Sequence, residues 1–128
     1  MRYTQKQIDK FNRQKYIVEL EKISKNLFRM FRDQHVLAAD FLLKFKQLKK
    51  KFDEKEEVHL ESEYHQQLKE YIVHLYEQTC LAEMFTDKEF EAIRDVQMSK
   101  LNRLQKLKNG TSYKKDKHKT KRQNEDWG

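Results

Sequence analysis

Apolar residues recur three or four positions apart in four separate segments of the chain. These segments run from Ile8 to Met30, from Leu37 to Phe52, from Tyr64 to Ala82 and from Phe90 to Leu107. Because side chains at this spacing share one face of an α-helix, the pattern predicts four amphipathic helices. The second segment opens within the stretch VLAADFLLKF, which is apolar on nearly every side, so we expect this stretch to be well buried.

Polar stretches separate the apolar segments and predict where the helices end. Asp33-Gln34-His35 interrupts the first pair of segments, and the acidic stretch DEKEEVHLESE, residues 53–63, follows the second segment. We therefore predict breaks near residues 34, 58 and 86, with connections that carry few apolar side chains.

Local cap signals agree with these boundaries. Two pairs of residues match the capping box, which satisfies free N–H groups at a helix start: Thr4 with Gln7, and Thr86 with Glu89. Phe85 and Phe90 occupy the positions of a hydrophobic staple around the second box. Asn109-Gly110 is expected to end the fourth helix, since Gly tolerates the left-handed conformation found just after a helix.

Composition extends this pattern to the whole chain and predicts an all-α protein. The sequence has no Pro, and its two Gly residues are Gly110 and Gly128, so it lacks the turn residues on which strand proteins depend. Its commonest residues, such as Leu, Lys, Glu and Gln, are good helix formers.

Two all-α architectures satisfy the pattern. One is a small up-down bundle of about four helices over residues 1–110, followed by a disordered basic tail at 111–128. The other is a hairpin of two long helices, 4–57 and 60–108, that dimerises. We prefer the bundle because a helix of about 50 residues far exceeds the usual globular length of about 11–12.

The chain contains no apolar run long enough for a membrane span, and its polar N-terminus does not resemble a signal peptide. Its single cysteine, Cys80, excludes an internal disulfide. These features predict a cytoplasmic protein, and the Lys-rich composition without Pro is compatible with a bacterial origin.

Charge is distributed in three blocks rather than evenly. Residues 1–52 carry 14 Lys and Arg against 5 Asp and Glu, whereas residues 53–91 carry 3 against 12. Residues 92–128 carry 11 against 4, and the chain as a whole has a net charge of +7. An antiparallel bundle could pair these blocks internally, or it could present separate basic and acidic faces to partners.

The third block holds the candidate nucleic-acid contacts. They form a row on the fourth predicted helix, with a continuation in the tail: Lys100, Arg103, Lys106, Lys108, Lys114, Lys115, Lys117, Lys119, Lys121 and Arg122. Because Lys dominates and no known DNA-reading motif is present, we expect contact with phosphates rather than with bases. A second cluster ends the second predicted helix, where the helix dipole favours cations, so it is only a weak candidate for ligand contact: Lys44, Lys46, Lys49, Lys50 and Lys51.

No pattern in the sequence predicts catalysis, a cofactor or a metal. Glu56 and His59 have the E-x-x-H spacing of di-iron bundles, and His59 with Glu63 gives a second spacing, but the other ligands are missing. His74 is expected to be a half-buried structural residue, and Cys80 an unreactive one.

These observations favour a non-enzymatic binding protein. In the leading interpretation it is an assembly partner or adaptor whose acidic block, Asp53 to Glu91, meets a basic protein surface. The alternative is a nucleic-acid accessory protein that uses the basic row and tail. Self-association is a further option, whereas neither a membrane nor a small-molecule substrate is expected.

Overall fold

The computed structural model describes residues 3–109, which fold into four helices without a strand. The helices are α1 (Gln5–Arg32), α2 (Ala38–Asp53), α3 (Glu63–Thr79) and α4 (Asp87–Asn109). The predicted four-helix bundle is confirmed. The alternative of two long helices is wrong, because residues 33–37 leave the helical conformation between α1 and α2 and 80–86 do so between α3 and α4.

The predicted helix starts are found, and one start was missed. Thr4 Oγ1 accepts a hydrogen bond from the Gln7 amide at 3.2 Å, and the Thr4 amide donates to Gln7 Oε1 at 2.9 Å. Thr86 Oγ1 accepts from the Glu89 amide at 3.3 Å. The start of α3 uses Ser62, whose Oγ accepts from the amide of His65 at 3.0 Å.

The centre of the core is a cluster of aromatic rings contributed by three helices. Phe31 of α1, Phe41 and Phe45 of α2, and Phe90 of α4 are fully buried. The ring centroids of Phe41 and Phe90 are 4.9 Å apart, and those of Phe31 and Phe90 are 5.6 Å apart. Such rings bury large areas, and each favourable pair adds about 0.5–1.5 kcal/mol beyond the burial itself.

Helices α1 and α2 run antiparallel, since Tyr16 lies beside Phe52 and Phe31 beside Phe41, and α1 contacts all three other helices. Arg94, near the start of α4, binds carbonyl groups at the end of α1, so these two helices run in opposite directions. At the other end of α4, the Nζ of Lys108 lies 5.9 Å from the centre of the Tyr64 ring at the start of α3. Helix α4 therefore packs against both α1 and α3.

Two expectations about the apolar segments are wrong. Leu37 and Leu43 are exposed, the latter at 61%, because α2 buries only the face that carries Phe41 and Phe45. The stretch VLAADFLLKF is therefore half-buried as a whole. Ala82 does not belong to the third stripe, since α3 ends at Thr79 and Ala82 lies exposed in the following connection.

Candidate functional site

The basic row predicted on α4 is present on the surface. Lys100, Arg103 and Lys106, hereafter the α4 row, are exposed, and none of them forms an ion pair with any residue between 3 and 109. Lys100 and Arg103 border a groove of about 680 Å³ between α3 and α4. The groove is lined by Gln67, Glu70, Tyr71, His74, Lys100, Arg103, Leu104 and Leu107.

The remaining predicted contacts do not join the α4 row. Lys108 is half-buried, and its ammonium group lies against Tyr64 on the inner side of α4. Its position follows from the helical period, since it is seven residues after Leu101, which is buried. Lys114, Lys115, Lys117, Lys119, Lys121 and Arg122 lie outside the residues that the structure describes.

A second and longer basic row lies on α1, where the sequence analysis did not identify one. It consists of exposed side chains on one face of the helix, here called the α1 row: Lys15, Lys22, Lys25, Arg29 and Arg32. From Lys15 to Arg32 the row spans 17 residues, or about 26 Å of helix. The signal was visible in the sequence, because the spacing of seven, three, four and three positions is that of a single helical face.

The cations of the α1 row are not neutralised by nearby carboxylates. Of the residues between 3 and 109, none forms an ion pair with a member of the row. The acidic residues of the same helical stretch are turned toward the bundle: Glu21 bonds to His65, and Glu19 is half-buried. Between Lys15 and Arg32, the cations of the α1 row therefore face solvent, whereas the two carboxylates face the neighbouring helices.

Part of the positive charge on α2 is explained by contacts within that helix and at its C-terminal end. Lys49 pairs with Asp53 at 2.8 Å and lies 5.1 Å from the centre of the Tyr76 ring. Lys50 and Lys51 occupy the last turn of the helix, where the carbonyl dipoles favour positive charge. Lys44 and Lys46 are exposed and lie before the last turn, so the helix end accounts for only part of the cluster.

The acidic block forms the outer face of α3 and the connection before it. Glu63, Glu70 and Glu77 are exposed and recur every seven residues. A groove of about 710 Å³ runs beside this face, lined by Glu57, Val58, His59, Leu60, Gln66, Lys69, Glu70, Val73, His74 and Glu77. The only cation in that lining, Lys69, is paired with Glu57 at 2.8 Å.

That ion pair moves the pKa of both partners. The hydrogen bond from Lys69 and its positive charge hold the pKa of Glu57 below its usual value. For Lys69, burial alone would lower the pKa, but hydrogen bonds with Glu57 and Tyr16 outweigh it and raise the pKa. Both groups are thus charged at neutral pH, and the groove keeps its negative balance.

A buried polar group ties α3 to α1. His65 is fully buried, its Nε2 lies 2.9 Å from Glu21 Oε2, and its Nδ1 lies 3.1 Å from Ser62 Oγ. A serine bonded to a histidine that is in turn bonded to a carboxylate is the arrangement found in the catalytic triad of serine hydrolases. Here the serine hydroxyl is itself fully buried and caps α3, so the group positions the helix and offers no surface to a substrate.

The metal candidates are not brought together. Glu56 bonds to Asn12 at 2.8 Å, and among residues 3–109 no group of three or more His, Cys, Asp or Glu could hold a metal ion. His74 is exposed rather than half-buried, since it faces solvent between the two grooves. Cys80 is half-buried, and burial raises the pKa of its thiol.

Broader comparisons complete the description of the site. Across the described part of the chain, no helix combines the length and apolarity that a bilayer crossing requires. Comparison with known proteins gives no match to a family model, to a curated protein or to a solved structure. Functional inference therefore depends on the arrangement of the charged surfaces.

Proposed function

We propose that this protein is a cytoplasmic nucleic-acid accessory protein that binds phosphates without reading sequence. The observation that carries the proposal is the α1 row, in which five exposed cations share one face of a single helix and have no ion-pair partner between residues 3 and 109. A polyanion is the ligand that such a face suits, because each neutralised phosphate releases condensed counterions.

The electrostatic repulsion between neighbouring cations of the α1 row supports an external anionic ligand. Lys22 with Lys25, Lys25 with Arg29, and Arg29 with Arg32 are like-charged neighbours at helical spacing. Each such pair destabilises a helix by about 0.2–0.5 kcal/mol, and the carboxylates that could offset it are turned inward. A phosphate backbone laid along α1 would remove this repulsion.

The residue types support contact with the backbone rather than with bases. Three of the five members of the α1 row are Lys, a point charge that attracts phosphates without selecting a base. The row spans about 26 Å, which corresponds to about seven or eight phosphates along one strand of a duplex at 3.4 Å each.

The test is the salt dependence of binding to a 20-base-pair duplex of random sequence, measured by fluorescence anisotropy between 50 and 200 mM salt. Replacing Lys22, Lys25 and Arg29 by Gln should weaken binding and reduce the slope of log affinity against log salt by up to about 2.7. The matched control replaces Lys44, Lys50 and Lys51 of α2 by Gln, which changes the net charge equally and should have a smaller effect.

Two results would contradict the proposal. The first is no binding by the full chain at 50 mM salt. The second is an equal loss of affinity in the α1 and α2 variants, which would mean that net charge rather than the α1 row attracts the duplex. Circular dichroism of each variant checks that the helices are retained.

A second candidate function, an assembly partner for a basic protein, is supported by the acidic face of α3. Glu70 and Glu77 border a groove of about 710 Å³ whose lining includes the apolar side chains Val58, Leu60 and Val73. Titration with a Lys-rich amphipathic peptide tests this candidate. Binding that is lost in the Glu70→Gln, Glu77→Gln double variant but kept in the α1 variant would support it, and no binding would remove it.

A further inference from the structure

The α1 row and the α4 row lie on different outer faces of the bundle. Helices α1 and α4 pack face to face, with the rings of Phe31 and Phe90 stacked at 5.6 Å. Arg94 reinforces the contact by donating to the carbonyls of Phe31 and Met30. On each helix the exposed row lies away from the buried residues, and the α4 row borders a groove with α3 rather than with α1, so the two rows face different directions.

The separation of the two rows limits what one short, straight duplex can contact at once. Packed helices lie about 8–10 Å apart, and side chains extend each helix to a radius of about 5–6 Å. Rows that face different directions on two packed helices are thus up to about 20 Å apart. DNA has a persistence length of about 150 base pairs, so a short duplex held along α1 is too stiff to bend round to α4.

The side surfaces do not join the rows equally. On the α3 side, Glu63, Glu70 and Glu77 form a negative face that repels a phosphate backbone. Glu70 also lines the groove that Lys100 and Arg103 border, so the α4 row meets this negative face at its edge. On the α2 side the surface stays basic, because four lysines are exposed: Lys44, Lys46, Lys50 and Lys51. On that side it is the stiffness of the DNA, and not charge repulsion, that prevents a short duplex from contacting both rows.

The α4 row has the charge needed for a separate contact. Lys100, Arg103 and Lys106 are exposed within the last three turns of α4, whereas the acidic residues of this helix lie in its first nine positions, between Asp87 and Asp95. Apart from Lys88, which is also exposed, the cations on the outer surface of α4 lie in this one segment. Tyr71, half-buried in the adjoining groove and bonded to Gln97 at 2.8 Å, supports the wall of this surface.

We infer that one molecule holds two nucleic-acid segments at once, one along the α1 row and one against the α4 row. The protein then acts as a bridge that brings separate duplexes, or distant parts of one long duplex, side by side. This inference rests on the proposed phosphate binding, but it requires in addition that the second row be occupied while the first is filled.

The experiment uses the full chain and two 20-base-pair duplexes of random sequence. One duplex is fixed to beads, and the other carries a fluorophore and is captured only if a protein molecule links the two. At 50 mM salt the unaltered protein should capture the labelled duplex. Replacing Lys100, Arg103 and Lys106 by Gln should reduce capture at least tenfold, while binding to a single duplex falls by much less.

The controls separate the sources of a second contact. The Gln variant of Lys44, Lys50 and Lys51 carries the same change in net charge and should still capture. A full-length variant with Gln at six tail positions tests the tail: Lys114, Lys115, Lys117, Lys119, Lys121 and Arg122. The mass of the free protein in solution, from light scattering, shows whether a dimer supplies the second surface.

Each outcome either supports or overturns the bridge. Single-duplex binding without capture overturns the inference and leaves the proposed function standing, whereas absence of any binding overturns both. Capture that survives neutralisation of the α4 row, that is lost with the tail cations alone, or that is made by a dimer also overturns the inference. Capture by a monomer that depends on both helical rows supports it.

Discussion

Arg94 shows at the scale of one residue how a charged side chain can hold two helices together. It is 5% exposed, and its guanidinium donates to the carbonyls of Phe31 at 2.6 Å and Asp33 at 2.8 Å. Its Nε donates to Glu91 at 3.1 Å, and its charge lies 4.9 Å from the centre of the Phe90 ring. The carbonyl groups at a helix end lack hydrogen-bond donors within the helix, and Arg94 supplies the missing donors at the end of α1.

Replacing Arg94 by Met should destabilise the protein by about 2–4 kcal/mol, since carbonyl groups near the end of α1 lose their donor in a buried setting. The measurement is urea unfolding followed by circular dichroism. Arg103→Met is the matched control, and because Arg103 is exposed without an ion pair among the described residues, it should change stability by no more than about 0.5 kcal/mol. Equal losses in the two variants would contradict this role for Arg94.

Tyr64 should make stability depend on pH in the alkaline range. Burial, and next the negative charge of Glu21, raise the pKa of Tyr64 to about 12 despite its hydrogen bond with Ser24. Between about pH 10 and 12 the unfolded chain ionises this tyrosine and the folded protein does not, so stability falls as pH rises. The slope for one group is at most about 1.4 kcal/mol per pH unit.

The Tyr64→Phe variant tests that slope, because it removes the titrating group and keeps the ring. The free energy of unfolding, measured from pH 9 to 11.5, should fall less steeply in the variant than in the unaltered protein. Burial also raises the pKa of Tyr71, so some pH dependence should remain. Identical slopes in both proteins would show that Tyr64 ionises alike in the folded and unfolded states.

At the scale of the helices, the unpaired backbone N–H and C=O groups at some helix ends are hydrogen-bonded by side chains of neighbouring helices. The amide of Ala38 at the start of α2 donates to Asp87 Oδ1 of α4 at 2.8 Å. Leu37, at the N-cap position of α2, has no side-chain oxygen to accept that bond. The connection between α1 and α2 is therefore held from both sides by α4, through Arg94 and Asp87.

Replacing Asp87 by Ala should cost about 1 kcal/mol, as expected for the loss of a cap. Asp87→Asn keeps an oxygen that can accept the bond and should recover part of the loss. Asp95→Ala, at an exposed position of the same helix, provides a control with the same charge change. The measurement is again urea unfolding, and an equal cost at positions 87 and 95 would rule out a specific cap.

At the scale of the whole molecule, the four helices divide charge between faces. The outer faces of α1 and α4 carry unpaired basic rows within the described residues, and the outer face of α3 carries carboxylates seven residues apart. A polyanion should approach from the α1 or α4 side and avoid the α3 side. Any ligand that binds only the folded state also stabilises it.

A 20-base-pair duplex should therefore raise the melting temperature of the protein. At a free concentration of ten times the dissociation constant, the stabilisation is about 1.4 kcal/mol, which corresponds to a rise of several degrees for a domain of this size. Differential scanning fluorimetry measures the shift. The Gln variant of Lys22, Lys25 and Arg29 should lose most of it, and retention of the full shift in that variant would argue against the α1 row.

Some structural features depend only on local sequence and were predicted for that reason. The capping interactions of Thr4 and Thr86 were identified because they join residues three positions apart. The hydrogen bonds that were not predicted join residues far apart in the chain. His65 bonds to Glu21 across 44 positions, and Arg94 bonds to Phe31 across 63. No local pattern marks such partners.

The amino-acid sequence by itself determined four helices, three breaks and three blocks of charge, because helical period, turn chemistry and composition act over a few residues. Only the tertiary structure decided which charged side chains remain exposed and able to contact a ligand. Packing turned Lys108 toward Tyr64 and buried Arg94, while it left the cations of α1 facing solvent. The physical reason is that each helix offers several faces, and contact with the other three helices selects the face that is buried.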